Sequence, residues 1–254
     1  MRRLVFAIAL ALLAAPAVAG ITNKDLNRQI DQTNFLLDND CSGTLIDKAN
    51  GYILTANHCI QDQFQDVERD ELEKDGTVKK VKVRISKPGS VSQIVFAGPD
   101  EVSRTSFIYK MKAHDPDHDL GLVQVVSKLP NTQEVKVACT EPERLDAVYA
   151  VGNPYVALYA TVSKGVIAST ARDYRQLGID GGGDDPGEQP GDNGLLQHTA
   201  FMAPGSSGGA LLNDSGELIG VNVRGNAYGA YFSVPLADIR KFLIDNKVDL
   251  PTCP

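Results

Sequence analysis

Three stretches of this 254-residue chain hold groups able to move a proton or attack a carbonyl. The run GYILTANHCI, residues 51–60, closes an apolar segment with His58 and Cys59. In DPDHDLGLVQV, Asp119 stands directly before a second apolar run. A carboxylate there would be half buried and would need a partner for its charge, which an imidazole N–H supplies. In APGSSGGAL, Ser207 sits among Gly205, Gly208 and Gly209. Those glycines permit backbone conformations closed to other residues, so successive N–H groups in the turn can converge on one point. Taken singly, each stretch has an ordinary reading: a structural histidine at a strand end, an aspartate cap, a glycine turn. Taken together, in the order His, Asp, Ser, they supply a base, a carboxylate to orient it, a hydroxyl nucleophile and backbone donors for an oxyanion.

Asp115 and Asp117 are rival carboxylates, but they precede the apolar run by enough to sit in solvent. His114 and His118 read as surface-loop residues, because no carboxylate or thiol pattern makes them metal ligands. The sequence implies no metal and no cofactor.

These groups need a frame that brings distant segments together. Short runs rich in Val, Ile, Thr and Tyr recur at residues 44–46, 52–55, 81–85, 93–96, 120–126, 147–151, 162–167, 210–212, 218–223 and 230–234, separated by Gly, Pro, Asn and Asp. That pattern predicts an all-β fold of the sandwich or barrel kind. Helical periodicity is confined to residues 24–35 and 236–246, the second read as a terminal helix packed on the body. The charged run 66–84, acidic and then basic, reads as a solvated loop, since Asp66, Glu68, Asp70, Glu71 and Glu73 lack a regular oxygen-ligand spacing. GGGDDPGEQPGDN, residues 181–193, offers nothing to a core and reads as a surface loop.

The amino terminus has the layout of a secretory signal: Arg2 and Arg3, an apolar run, then Ala17-Val18-Ala19 before Gly20. Removal of residues 1–19 would leave 23 basic against 32 acidic residues, a balance that argues against nucleic acid as a partner. The apolar run is shorter than the roughly 20 residues a bilayer requires, so no membrane association is expected after signal removal. All four cysteines, Cys41, Cys59, Cys139 and Cys253, fall in the remainder, and an even count in an exported chain argues for two disulfides. Spacing alone leaves three pairings open.

The segments LTANHC, DLGL and GSSGG together resemble the active-site segments of trypsin-fold, chymotrypsin-type serine endopeptidases. The longer stretch LLQHTAFMAPGSSGGALLNDSGELIGVNV is similar to HtrA-type proteases more than to digestive trypsins. The resemblance implies two six-stranded antiparallel Greek-key β-barrels with a short C-terminal helix. Their expected bounds are about residues 36–138, 139–236 and 236–247, after a signal peptide at 1–19. It implies His58 as general base, Asp119 as its orienting partner and Ser207 as nucleophile, with the Gly205 and Ser207 N–H groups as oxyanion hole. The trypsins' histidine-loop disulfide implies Cys41–Cys59 and, with it, Cys139–Cys253.

By the same resemblance Phe201, Met202, Val223, Gly225 and Gly229 bind substrate. The strand around Val223 would pair with the substrate backbone, and Phe201 would limit the depth of an apolar pocket lacking the Asp that selects Lys or Arg. The implied activity is hydrolysis of protein or peptide substrates after small or medium apolar residues; a glutamyl preference through His198 and an inactive binding protein on the same fold are the alternatives. The chain ends at Pro254 without room for a PDZ domain, and a secreted or periplasmic monomer is expected. Ser206 stands where trypsins carry the Asp that pairs with a newly cut N-terminus, which implies activity without zymogen cleavage.

Overall fold

The computed structural model describes residues 22–38, 40–74, 77–98, 101–172, 194–226 and 229–253. The expected signal peptide at 1–19 and the glycine-rich stretch 181–193 lie outside the described residues. Helix α1 (Asn23–Thr33) is capped by Thr22, whose hydroxyl oxygen accepts the Asp25 N–H, and it buries Leu26 and Ile30. The helix ends earlier than its periodicity suggests. Asn34 is already extended and opens β1 (Asn34–Leu37), which pairs on both sides, so two ladders of hydrogen bonds outweigh one more helical turn.

Six strands close the first barrel: β1, β2 (Cys41–Asp47), β3 (Tyr52–Thr55), β6 (Gly89–Gly98), β7 (Glu101–Asp115) and β8 (Leu120–Val125), in the spatial order β1-β2-β3-β8-β7-β6. Six more close the second: β9 (Ala147–Gly152), β10 (Thr161–Arg172), β11 (Leu195–His198), β12 (Ala210–Leu212), β13 (Leu218–Gly225) and β14 (Tyr231–Pro235), in the order β10-β11-β14-β13-β12-β9. Every pairing within them is antiparallel. The short C-terminal helix α2 (Leu236–Asp245) packs Leu236, Ile239, Phe242 and Leu243 inward beside β13 and β14. This is the trypsin-like fold that the resemblance implied.

Alternation explains why β3 and β8 are apolar at nearly every position. Ile53, Val123 and Val125 point into the first barrel, among Phe35, Leu45 and Tyr109, while Leu54, Leu120 and Leu122 face the larger core that runs through the second. A strand with a core on each face has no position to spare for water. The residues between its ends and solvent are therefore the ones free to carry chemistry.

The charged run forms a paired ribbon where a solvated loop was expected, and of this ribbon only residues 81–85 read as a strand in the sequence. β4 (Phe64–Leu72) and β5 (Val78–Ser86) pair along their whole length, with Glu68 opposite Lys82, Asp70 opposite Lys80 and Glu71 opposite Lys79. The acidic and the basic strand complement each other at these three pairs, which a search for core-facing alternation does not weigh. Strand β7 was missed for a related reason, since most of its side chains are exposed and only Tyr109 is fully buried. Among the described residues no helix is long and apolar enough to cross a membrane.

Candidate active site

His58 follows β3 in a single 3-10 turn, Asn57–Cys59, and Asp119 precedes β8. Because β3 pairs with β8 through Thr55 opposite Gly121, the two residues emerge side by side from one edge of the first barrel. The carboxylate grips the histidine at two points. Asp119 Oδ2 lies 2.8 Å from His58 Nδ1, and Oδ1 accepts the His58 backbone N–H at 2.9 Å. Asp119 is buried, at 6% exposure, and its φ of +53° is a left-handed conformation that Asp tolerates better than most residues. Nδ1 is thereby engaged, and Nε2 is left with no protein partner among the described residues.

The rival carboxylates lie elsewhere. Asp115 binds His118 Nδ1 at 2.7 Å and accepts the N–H groups of Asp117 and His118, while Asp117 is exposed. His114 lies on β7, half-buried, with its ring 4.4 Å from that of Phe64 and its Nδ1 3.3 Å from Asn57 Oδ1, so the surface-loop reading does not hold for it.

Ser207 arrives from the second barrel, in the turn before β12. Its carbonyl accepts the Ser42 N–H at 2.7 Å, and the Cys59 Sγ, next to the histidine, is 3.7 Å from the same oxygen. Gly208, at φ +81°, lies so close that a Cβ there would stand 2.2 Å from both Ser42 O and Thr55 Oγ1. The Ser207 turn is thus seated on β2 and on the end of β3, the strand that His58 follows. Within the turn, the N–H groups of Ser206, Gly208 and Gly209 donate to Ala203 O, Asn222 O and Ser206 O. Those of Gly205 and Ser207 donate to no acceptor among the described residues, and they are the two named from the resemblance. The Ser207 hydroxyl donates to Val223 O at a long 3.3 Å.

Both expected disulfides are formed, Cys41–Cys59 with Cα atoms 5.9 Å apart and Cys139–Cys253 at 5.3 Å. The second, with Arg240 Nη1 donating to Ala138 O at 2.9 Å, ties α2 and the tail to the inter-barrel connection. Cys41, His58 and Cys59 place potential ligand atoms within 4.8 Å of one another, but the two sulfurs are bonded to each other and offer no thiolate.

Next to Ser207, Val223 falls in an irregularity of the β13–β14 ladder, between the Asn222–Ser233 and Arg224–Phe232 pairs. Phe201 is 46% exposed and meets Tyr231 edge-on at 5.7 Å, whereas Met202 is buried. Gly225 pairs with Tyr231, and a Cβ on it would strike the Tyr231 ring at 2.9 Å; Gly229 has open space. Tyr231 thus touches Phe201 and Gly225, two of the residues that the resemblance assigns to substrate, and is not itself named by it.

Under Tyr231 lies His198, fully buried. Asn222 Nδ2 donates to Val151 O and Ala210 O, so its Oδ1 must take the Ser233 hydroxyl proton, and Ser233 Oγ must in turn accept from His198 Nε2. The ring is therefore the neutral Nε2–H tautomer. Burial pushes its pKa down to about 4, against a weaker upward pull from the Ala200 backbone. With no exposure at all, His198 lies as a support beneath Tyr231.

Over residues 41–221 the chain matches the family model of the trypsin-like peptidase domain. It is 31% identical over 201 residues to a Haemophilus influenzae protein named as a probable periplasmic serine protease do/HhoA-like, covering 76% of this chain and 34% of that one. Identity to the serine endoprotease DegS of the same organism is 27% over 249 residues, covering 93% of this chain and 60% of the relative. To the zebrafish serine protease HTRA1B it is 31% over 144 residues, covering 56% and 28%. The chain therefore spans less than two thirds of each of these relatives. Among solved structures, a serine endoprotease from Yersinia pestis superposes with a TM-score of 0.59 at 22% identity, covering 89% of this chain and 67% of that one, a likeness of fold.

Proposed function

The chain belongs to the trypsin-like peptidase family, and from that premise we propose that it is an exported serine endopeptidase whose triad is His58, Asp119 and Ser207. The observation that carries the reading is the two-point grip of Asp119 on His58 beside a serine turn with two unengaged N–H groups.

The reaction follows from those positions. His58 Nε2 takes the hydroxyl proton as Ser207 Oγ attacks the scissile carbonyl, and the Gly205 and Ser207 N–H groups receive the developing oxyanion. The imidazolium, stabilised by Asp119, returns the proton to the departing amine, leaving an acyl-enzyme that water hydrolyses by the same route. In the resting geometry the serine proton is directed at Val223 O. A substrate strand laid along Val223 donates its own N–H to that oxygen and frees the hydroxyl to rotate toward His58, so substrate binding itself arms the nucleophile.

Phe201, Met202, Val223, Gly225 and Gly229 form a pocket suited to small or medium apolar residues, closed on one side by Tyr231. Burial of His198 in its Ser233–Asn222 network argues against a glutamyl preference through that ring. Ser206 Oγ accepts the Ala203 N–H at 3.3 Å, a local closure of the turn that needs no new N-terminus, which supports activity without zymogen cleavage. Two disulfides and the signal-like leader support an oxidising destination, periplasmic or extracellular.

The test is labelling with a fluorophosphonate followed by profiling of cleavage sites on a peptide library. Stoichiometric modification of Ser207 and cleavage after apolar residues are expected. A folded protein that takes no label would instead favour a binding protein on the same fold.

A further inference from the structure

Every donor and acceptor on the Asn153 side chain is used. Asn153 is fully buried at the end of β9. Its Nδ2 donates to Phe35 O at 3.1 Å and to Ser42 Oγ at 3.0 Å, and its Oδ1 accepts from Asn34 Nδ2 and from the Ala160 N–H, each at 3.0 Å. Its backbone N–H also donates to Ser42 Oγ, at 2.9 Å. That hydroxyl, accepting twice, gives its own proton to Gly205 O at 2.7 Å. One amide thus joins the first barrel to both ends of the segment 153–160 and, through Ser42, to the nucleophile turn.

That segment is strained. Tyr155, Val156 and Ala160 have φ of +56°, +55° and +49°, conformations costly for side chains other than glycine, and strain of this kind persists only where its surroundings enforce it. What the strain delivers is one hydrogen bond: the Tyr155 N–H donates to Pro204 O at 2.6 Å. Pro204 O and the Gly205 N–H belong to the same trans peptide, so they point in opposite directions. Holding the carbonyl toward Tyr155 therefore turns the Gly205 N–H away from it and keeps it free. The packing allows no slack, since a Cβ on Gly205 would stand 2.4 Å from Asn153 O.

We propose that Asn153 is a positioning residue for the oxyanion hole, acting through the Tyr155 N–H on the Pro204–Gly205 peptide and through Ser42 on Gly205 O. The proposal rests on the reading of Gly205 and Ser207 as oxyanion donors. When the clamp loosens, the Pro204–Gly205 peptide is free to rotate and its N–H leaves the reacting carbonyl, while His58, Asp119 and the pocket stay in place.

The test compares Asn153→Ala and Ser42→Ala with the wild type, with kcat expressed per active site titrated by a fluorophosphonate. Loss of one oxyanion donor costs about 10²–10³ in kcat, so partial misdirection is expected to cost roughly 10- to 100-fold. KM should stay within about threefold, the pH at which activity rises should not move, and the Ki of a peptide boronate should rise by the factor by which kcat/KM falls. A merely structural role would reduce the titrated fraction and leave kcat per site and the boronate Ki unchanged, which would overturn the proposal. Should Asn153→Ala not fold, Ser42→Ala, which removes a single oxygen, decides on the same terms. A wild type that neither takes the label nor cleaves peptide would instead sink the peptidase reading itself.

Discussion

The nucleophile turn and the β4–β5 ribbon are held in opposite ways. Around Ser207, carbonyls and N–H groups from β2, β9 and β13 meet the turn, and the nearest atoms leave no room for a methyl group at Gly205, Gly208 or Gly209. The ribbon is held by its own ladder and by pairs of opposite charge, with Leu72 and Val78 exposed at its tip. A turn fixed by many short contacts to different elements cannot shift without breaking several of them, whereas a self-paired ribbon can bend as a unit. The proposed acyl transfer would demand geometry to a fraction of an ångström of the first, and nothing comparable of the second.

The largest effect that could break this contrast is catalytic. Ser207→Ala and His58→Ala are each expected to lower kcat on the order of 10⁴-fold or more while the melting temperature stays close to that of the wild type. Steady-state hydrolysis of a peptide substrate reads the first and thermal denaturation the second; wild-type turnover in either variant removes the triad.

Gly208→Ala probes the seat of the turn. With φ at +81° and the new methyl placed against Ser42 O and Thr55 Oγ1, it is expected to cost on the order of 4 kcal/mol in urea unfolding. A loss below about 1 kcal/mol would mean the seat yields as easily as the ribbon.

Acid provides a third measure. The folded pKa of His198, at about 4, lies below its ordinary 6.5, so the unfolded chain binds the extra proton between those values. Stability is therefore present above pH 6.5 and is lost as pH falls through this window toward 4, by about 3 kcal/mol from this residue. The difference in pH slope between wild type and His198→Gln isolates that contribution from those of the carboxyls; equal slopes would refute it. The smallest effect belongs to the ribbon. Glu68→Ala, breaking an exposed contact of 3.7 Å to Lys80, should change stability by no more than about 0.5 kcal/mol, and a larger value would show that the ribbon is held more tightly than its exposure indicates.

The comparison also explains what could be read in advance. Strands β3, β9 and β12 announced themselves because a short, nearly unbroken run of apolar side chains has a single common cause, burial. β4 and β7 did not, and β5 did so only at residues 81–85, since exposed strands carry polar residues whose partners lie on another strand. β11 is four residues long, and its buried His198 breaks the apolar pattern. Tyr231 and Asn153, placed at the site by the proposals above, do not stand out in the sequence because neither is a nucleophile or a base. Their importance lies in what they touch.

By itself, then, the amino-acid order determined the residue types that chemistry requires, the glycines without which the serine turn could not form, and the alternation that makes barrels. It carried these because each is a property of a residue and its near neighbours. Which carboxylate reaches His58, which N–H groups of the turn stay unengaged, and how Asn153 ties one barrel to the other were decided only in three dimensions. Those relations join residues up to 163 positions apart, and hydrogen bonds are satisfied by distance in space and not by distance along the chain.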